Sequence, residues 1–202
     1  MGAETGPTAS AQHSRTPPAG GLLRRFLDKR AAKAARRRDA REKLRLIADA
    51  RADLARFLES GERLACPDVA DAADVSVIVV IWNQPHFLLR CLRALLAQGG
   101  PRVQVVLVDN GSGPETQALL SRLDGCVILR NGGNAGFVAA CNQGARLARG
   151  RALLMLNSDA FLRPGAIAGA LAALDSDAGV GAVGGRLILP SGRLQEAGCI
   201  VW

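Results

Sequence analysis

The sequence lacks several features that mark well-known classes of protein. None of its 202 residues is tyrosine and only 3% are aromatic, so a surface that stacks nucleic-acid bases is not expected. Its five cysteines are widely spaced and form no CxxC pair, which argues against a zinc cluster and against a disulfide framework. No apolar run reaches the ~18 residues that a membrane-spanning helix needs. We therefore interpret the cysteines as reduced, mostly buried thiols in a reducing compartment.

The amino terminus also lacks the basic segment and apolar core of a secretory signal, so we expect a cytoplasmic protein. The net charge of +8 comes from one segment, because residues 24–45 hold eleven Lys and Arg residues against three acidic ones and the remainder is neutral. Nucleic-acid binding by the main domain is therefore not expected. A solvated helix face, a coiled-coil arm and a contact with an anionic membrane surface through residues 22–45 all fit this segment. The membrane hypothesis implies a peripheral location at the inner face of the membrane, with Leu22, Leu23, Phe26 and Leu27 as apolar anchors.

Composition divides the chain into segments. Residues 1–20 are rich in Pro, Gly, Ser, Thr and Ala and predict a disordered tail. Residues 21–62 have the composition of a long basic helix, residues 63–74 of a linker, and residues 75–202 of an α/β domain. An apolar stripe at helical spacing is formed by Leu44, Ile47, Ala48, Leu54, Ala55 and Leu58. The chain ends inside an apolar run, so we expect the α/β domain to be truncated at its carboxyl terminus.

Strand and helix patterns alternate from Val75 onward. Buried strands are predicted at 75–81, 103–108, 127–129 and 152–156, and helices at 85–98, 114–123, 136–148 and 164–174. Shorter strands are predicted at 180–183 and 186–189, with a turn at 190–192. Such alternation with short connections predicts a mostly parallel sheet with helices on both faces.

Polar side chains follow each of the four predicted strands. In an open parallel sheet, ligands bind beyond the carboxyl ends of the strands. Asp109 could accept hydrogen bonds from a ribose hydroxyl or a base N–H, or it could simply form a turn before Gly111. Asn134 and Gly136 belong to a glycine-rich stretch that allows close backbone approach to an anion, although Asn134 would also suit a helix N-cap.

The last of the four predicted strands, at 152–156, is followed by Asn157 and Asp159. Hard divalent cations prefer oxygen ligands and often combine one or two carboxylates with phosphate oxygens. A carboxylate opposite a glycine-rich loop therefore suits a metal–diphosphate, while a turn before Pro164 is the alternative interpretation.

The ordered blocks VSVIVVIWN, VVLVDNGS, RNGGNAGFVAACNQG and LLMLNSDA resemble family 2 glycosyltransferases of the GT-A fold, in particular rhamnosyltransferase-like bacterial members. The resemblance runs from Val75 to about Trp202. It implies a GT-A, Rossmann-like α/β domain that binds a nucleotide-diphosphate sugar. The nucleotide-sugar-binding residues that it implies are Trp82, Asn83, Asp109, Asn134, Gly136 and Asn157. Asp159 matches the last Asp of the DxD metal motif, which implies Mn²⁺ or Mg²⁺, although Asn157 replaces the first Asp.

The resemblance also implies an inverting transfer of the sugar to a saccharide or lipid-linked acceptor hydroxyl, in bacterial cell-surface polysaccharide synthesis. Family members use a downstream Asp, often in a Glu-Asp pair, as the general base. After Asp159 the sequence holds no such pair, so we expect the base beyond Trp202 and the donor-binding half in this chain. A non-catalytic nucleotide-sugar-binding or partner-docking module is the alternative. A dinucleotide oxidoreductase is disfavoured, because the first strand runs into Trp82-Asn83-Gln84-Pro85 and not into a glycine-rich turn.

Overall fold

The computed structural model describes residues 20–67, 69 and 73–197 of the chain. The predicted disordered tail therefore lies outside the described residues except for Gly20, as do Trp202 and the side chains of Leu22 and Leu23. In chain order the elements are α1 (Gly20–Ser60), β1 (Leu64–Ala65), β2 (Val75–Ile81), α2 (Pro85–Leu96), β3 (Val103–Asp109), α3 (Pro114–Leu120), β4 (Leu123–Asp124), β5 (Val127–Arg130), α4 (Phe137–Arg146), β6 (Ala152–Asn157), α5 (Ala166–Leu174), β7 (Leu187–Ile188) and β8 (Leu194–Glu196).

The centre of the molecule is a four-stranded sheet in the order β5-β3-β2-β6, with every neighbouring pair parallel. Its strands are rich in Val, Ile and Leu, as expected of strands covered on both faces. The register pairs Ile81 with Asp109, Asp109 with Arg130 and Val80 with Asn157. The predicted α/β class is therefore confirmed, and the carboxyl ends of the strands meet at one edge.

Helices cover both faces of this sheet. On one face Val75, Val77, Val79 and Ile81 enter the main core, which also holds apolar side chains of α1, α2, α3 and α5. On the other face α4 packs so closely that a Cβ at Gly144 would lie 2.5 Å from Ile78 Cγ2. This layering leaves the carboxyl edge of the sheet free for a ligand.

The long helix α1 buries fewer of its apolar residues than the predicted apolar stripe contains. Ala50, Leu54 and Phe57 are buried, whereas Leu44 of the predicted apolar stripe is 68% exposed. The predicted stripe is therefore right at Leu54 and wrong at Leu44, which lies before the part of α1 that enters the main core. The packed face also uses a charged residue, Asp53, which accepts a hydrogen bond from Arg90 Nε of α2 at 2.9 Å. No helix among the described residues is long and apolar enough to cross a membrane.

Two short strands were not predicted. β1 lies inside the predicted linker and pairs in parallel with β4, where a helix was expected to continue to Leu123. Each has two residues, so only the long-range pairing between them defines these strands. α3 instead ends at Leu120, and the pairing fastens the segment after α1 to the domain.

The carboxyl-terminal part departs from prediction at two further points. α5 begins at Ala166 and not at Pro164, because Gly165 adopts φ +76° before the first helical residue. The predicted strand at 180–183 is absent, and the glycines within and beside it disfavour extended pairing. The following strands β7 and β8 instead form an antiparallel hairpin that turns at Gly192, with φ +84°.

Candidate functional site

An open cleft of about 250 Å³ lies at the carboxyl edge of the main sheet. Its lining comes from the ends of β2, β3 and β6, from the loop between β5 and α4, and from the start of α4. The lining residues are Val80, Trp82, Gln84, Asn110, Asn134, Phe137, Asn157, Ser158 and Asp159. Of the predicted site residues, Trp82, Asn134, Asn157 and Asp159 line this cleft, and Asn83, Asp109 and Gly136 do not. With Asn110 included, the lining residues come from all four sequence blocks, so the fold gathers four separate motifs around one space.

Asn83 holds the turn after β2 in place. Its backbone adopts φ +60°, and that of Gln84 adopts φ +53°, which are uncommon values for residues with a side chain. The Asn83 N–H donates to Ser112 Oγ at 2.8 Å, and its Oδ1 accepts the Gly113 N–H at 2.9 Å. These bonds tie the turn after β2 to the loop after β3 and leave Trp82, which is 59% exposed, at the rim of the cleft.

Asp109 is almost fully buried, with 1% exposure. Its Oδ1 accepts the Ser112 N–H at 3.0 Å and its Oδ2 accepts Gln117 Nε2 at 2.5 Å. In this geometry the carboxylate organises the loop after β3, in agreement with the turn interpretation. A direct role in nucleoside binding stays a prediction.

Amide side chains join the loops that follow β3 and β5. Asn110 Oδ1 accepts Asn131 Nδ2 at 2.8 Å, and the same Nδ2 group reaches Gln143 Oε1 of α4 at 2.8 Å. Asn110 Nδ2 contacts both Asn134 Oδ1 and the Gly136 carbonyl oxygen at 3.4 Å. This amide network, formed by Asn110, Asn131, Asn134 and Gln143, orders the glycine-rich loop beside the cleft.

The same two loops approach each other through their backbones. Gly111 has φ +78°, and a Cβ there would lie 2.8 Å from Gly133 Cα. Gly136 precedes α4 with φ +83°, and no side chain caps this helix. Asn134 is therefore not the N-cap, although its Oδ1 accepts the Gly136 N–H at 2.9 Å.

The end of β6 presents oxygen ligands to the cleft. The Cys91 thiol of α2 donates to the Asn157 carbonyl oxygen at 3.6 Å and so holds the strand end in place. Burial raises the pKa of the Cys91 thiol to about 12, and the nearby Asp159 carboxylate adds to this shift. Among the described residues no three His, Cys, Asp or Glu side chains cluster as a metal site. The Asp159 carboxylate and the Asn157 side chain suit a hard cation that takes its other ligands from a diphosphate.

None of the three carboxylates that follow Asp159 in the described residues lines the cleft. Asp175 follows α5 and accepts two hydrogen bonds of 2.7 Å from Arg151, which directly precedes β6. Because Arg151 lies at the amino edge of the sheet, Asp175 lies at the edge opposite the cleft. Asp177 Oδ1 accepts the Gly179 N–H at 2.7 Å, and Glu196 belongs to the exposed strand β8.

A family model described as glycosyl transferase family 2 matches residues 76–196, which is more than half of the chain. The chain belongs to glycosyl transferase family 2. The match begins one residue into β2 and ends at the last residue of β8, so α1 lies outside it. The predicted recognition of this family is thereby confirmed.

Relatives of this family 2 chain include proteins of bacterial polysaccharide synthesis. The succinoglycan biosynthesis protein ExoO of Rhizobium meliloti is 35% identical over 103 residues, covering 48% of this chain and 29% of its own length. The O-antigen biosynthesis protein RfbC of Myxococcus xanthus is 35% identical over 131 residues, covering 63% of this chain and 10% of its own length. The chain thus spans less than a third of either relative.

Among solved structures, the mannosyltransferase PcManGT from Pyrobaculum calidifontis, in complex with GDP-Man and Mn²⁺, aligns with a TM-score of 0.47 and 20% identity. The alignment covers 68% of this chain and 44% of PcManGT.

Five cleft residues of this family 2 chain were not among the predicted site residues, namely Val80, Gln84, Asn110, Phe137 and Ser158. Asn110 directly follows Asp109, and the recurrence of amide side chains at strand ends was the available signal. Its partners Asn131 and Gln143 are separated by a helix start, so their contact required the tertiary structure.

Proposed function

We propose that this chain is the donor-binding half of an inverting glycosyltransferase that acts on a nucleotide-diphosphate sugar. The observation that carries the proposal is the convergence of Trp82, Asn134, Asn157 and Asp159 on one cleft in a chain of this family. In this arrangement Trp82 and the turn that Asn83 holds would contact the nucleoside, and the amide network would position the loop facing the diphosphate sugar.

We propose that Asp159, with Asn157 beside it, would hold a divalent cation, Mn²⁺ or Mg²⁺. A cation so held would neutralise charge on the departing diphosphate. Asn157 offers only a neutral amide oxygen where the family's motif has its first carboxylate, so the bound diphosphate must supply more of the ligands than in members with two carboxylates.

We further propose that the general base and the acceptor site come from outside residues 20–197. The support is the position of Asp175 and Asp177, which are engaged in other contacts and do not line the cleft. The acceptor would be a saccharide or a lipid-linked saccharide, and the process bacterial cell-surface polysaccharide synthesis, as the names of ExoO and RfbC suggest.

A calorimetric titration of the 202-residue chain with nucleotide-diphosphate sugars and Mn²⁺ tests the donor-half proposal. We expect weak binding of at least one donor and no sugar transfer to saccharide acceptors. Trp82→Ala should weaken binding, whereas Val183→Ala, which changes an exposed apolar residue outside the cleft, should not. Sugar transfer by the purified chain would refute the proposal that the base lies elsewhere.

The alternative is a non-catalytic module that binds nucleotide sugars or docks a partner. Such a module would use the same cleft as the proposed glycosyltransferase, but it would not transfer the bound sugar. Sugar transfer by the protein encoded by the complete reading frame would exclude this alternative. Donor binding without transfer by that protein would support it.

We also propose that the exposed face of α1 contacts an anionic membrane surface, which would place the protein in the cytoplasm, peripheral to the inner face of the membrane. The acidic residues Asp39 and Glu42 of α1 are half-buried and paired: Asp39 pairs with Arg193 at 2.9 Å and Glu42 with Arg45 at 3.7 Å. The side of α1 that faces away from Asp39 exposes Phe26, with Leu27 beside it, together with a row of cations, namely Arg30, Lys33, Arg37 and Arg41. Basic residues beside exposed apolar ones are typical of interfacial helices.

A further inference from the structure

Two cysteines that are far apart in sequence lie side by side at the paired strands β1 and β4. The register places Ala65 opposite Asp124, and the Cys66 N–H donates to the Asp124 carbonyl oxygen at 2.8 Å. Beyond these strands the thiols of Cys66 and Cys126 share a side-chain hydrogen bond. Neither thiol belongs to the cleft.

Gly125 makes this contact possible. Gly125 lies next to Cys66 in the neighbouring chain segment. Consecutive side chains of a strand point to opposite sides, so the side chain of Cys126 would normally point away from the side on which Cys66 lies. Gly125 interrupts this alternation with φ +72°, and a Cβ there would lie 2.2 Å from the Cys66 carbonyl oxygen. Neighbouring strands lie about 4.8 Å apart, a separation that a disulfide can bridge.

The two thiols differ in accessibility and in acidity. Cys66 is buried with 5% exposure, whereas Cys126 is half-buried. The hydrogen bond from Cys66 lowers the pKa of the Cys126 thiol, and the same contact, together with burial, raises the pKa of Cys66. Cys126 is therefore the better nucleophile, since the thiolate is the attacking species.

We propose that Cys66 and Cys126 form a dithiol modification site whose oxidant is a low-molecular-weight disulfide such as glutathione disulfide. The Cys126 thiolate attacks one sulfur of the oxidant, which forms a mixed disulfide and releases one thiolate. Cys66 then loses its proton and attacks the Cys126 sulfur, which closes the intramolecular disulfide and releases the second thiolate. Two protein thiols and one small disulfide thus become one protein disulfide and two small thiols. The product would fasten the segment after α1 to the sheet domain, and a reducing environment would reverse it.

The test incubates the full 202-residue chain with glutathione disulfide and maps the products by peptide mass spectrometry. We expect a cross-linked pair of peptides containing Cys66 and Cys126, and a rise in melting temperature on the order of 5 °C in the oxidised chain. Cys66→Ser should stop the reaction at a glutathione adduct on Cys126, and Cys126→Ser should prevent the reaction at Cys66.

A measurement on the reduced wild-type chain keeps the test valid if Cys66→Ser fails to fold. Cys141 is also half-buried, but burial raises the pKa of its thiol, so it is a matched control. We expect a thiol reagent to label Cys126 faster than Cys141. Faster labelling of Cys141, a stable glutathione adduct on wild-type Cys126, or a disulfide between any other cysteines would overturn the proposal.

Discussion

Gly144 is the residue through which α4 approaches the sheet. A Cβ there would lie 2.5 Å from Ile78 Cγ2 and 3.2 Å from Val108 Cγ2. Alanine is favoured over glycine inside a helix by about 1 kcal/mol, but overpacking costs about 1–3 kcal/mol. We expect Gly144→Ala to lower the free energy of unfolding by up to about 2 kcal/mol, measured by urea denaturation.

Gly169 is the matched control, because it lies inside α5 and nothing approaches its Cβ position within 4 Å. Gly169→Ala should raise the free energy of unfolding by about 0.5–1 kcal/mol. Stabilisation by both substitutions would contradict the close contact between α4 and β2.

Asp159, which follows β6, could bind a cation or could only stabilise the turn in which it lies, and a substitution can distinguish these two roles. Asp159→Asn keeps the size of the side chain and its suitability for a turn but removes the charge. If Asp159 binds a cation with the diphosphate, the substitution should weaken Mn²⁺-dependent nucleotide binding by about 1.5–3 kcal/mol, with little change in melting temperature. Calorimetry with and without Mn²⁺ measures the first effect, and thermal unfolding the second.

Asp177→Asn changes a carboxylate that lies outside the cleft and serves as the control for Asp159. Nucleotide affinity should not change in this variant. A loss of stability in Asp159→Asn with unchanged nucleotide affinity would instead support a purely structural role for Asp159.

At the scale of elements, one ion pair joins α1 to α2. Asp53 accepts hydrogen bonds from Arg90 and Arg56, and the hydrogen bond from Arg90 lowers the pKa of the Asp53 carboxyl below its ordinary value of 3.8. A lowered pKa in the folded state stabilises the protein above pH ~3.8, and this contribution is lost as the pH falls through the folded-state pKa.

We therefore expect Asp53→Asn to reduce the free energy of unfolding by about 1–2 kcal/mol at pH 7, with the difference from wild type shrinking as the pH falls below ~3.8. Urea denaturation between pH 3 and pH 7 measures this. Asp28→Asn removes an exposed charge from the same helix and should stay within about 0.5 kcal/mol of wild type. A deficit in Asp53→Asn that does not depend on pH would point to lost packing and not to the ion pair.

The basic face of α1 is a second feature of the element scale. We expect the chain to sediment with vesicles of anionic lipid at low salt and to remain in solution at high salt, since each basic residue contributes about 1 kcal/mol near such a surface. Replacing Arg30, Arg37 and Arg41 together by Gln should weaken this association by at least tenfold.

The control replaces Lys29, Arg36 and Lys43 by Gln, which removes the same charge from other sides of the same helix. A smaller loss of sedimentation is expected for this variant. Equal losses in the two triple variants would show that only total charge matters, and no sedimentation of the wild-type chain would end the membrane hypothesis and leave α1 as a spacer or docking arm.

At the scale of the whole molecule, the two edges of the sheet serve different purposes. The amino edge is closed by polar contacts, in which Ser76 Oγ accepts the N–H groups of Arg149 and Gly150 at 3.0 and 2.8 Å. The carboxyl edge is ordered by loop-to-loop contacts but keeps an open cleft between them. Function can therefore change at the carboxyl edge without disturbing the packing that defines the fold.

The amino-acid sequence by itself determined the parallel α/β class and the main elements, because short β-branched runs and amphipathic helices carry strong local signals. The strand predicted at 75–81 coincides with β2, and Trp82-Asn83 directly follows it. Asn157, predicted to follow a strand, is the last residue of β6, and Ser158-Asp159 follows it. The family, too, was recognisable from the sequence, since its motifs occur in a fixed order along the chain.

Only the tertiary structure decided which polar residues face the cleft and which hold the loops. Asp109 and Asn110 are adjacent in sequence, yet consecutive side chains point to opposite faces of a strand, so one carboxylate contacts Gln117 of α3 and the neighbouring amide joins the network beside α4. The contact between Cys66 and Cys126 likewise depends on pairing between β1 and β4, each too short to be defined by its own residues. Long-range pairing of this kind is a property of the folded chain and leaves no periodic signal in the sequence.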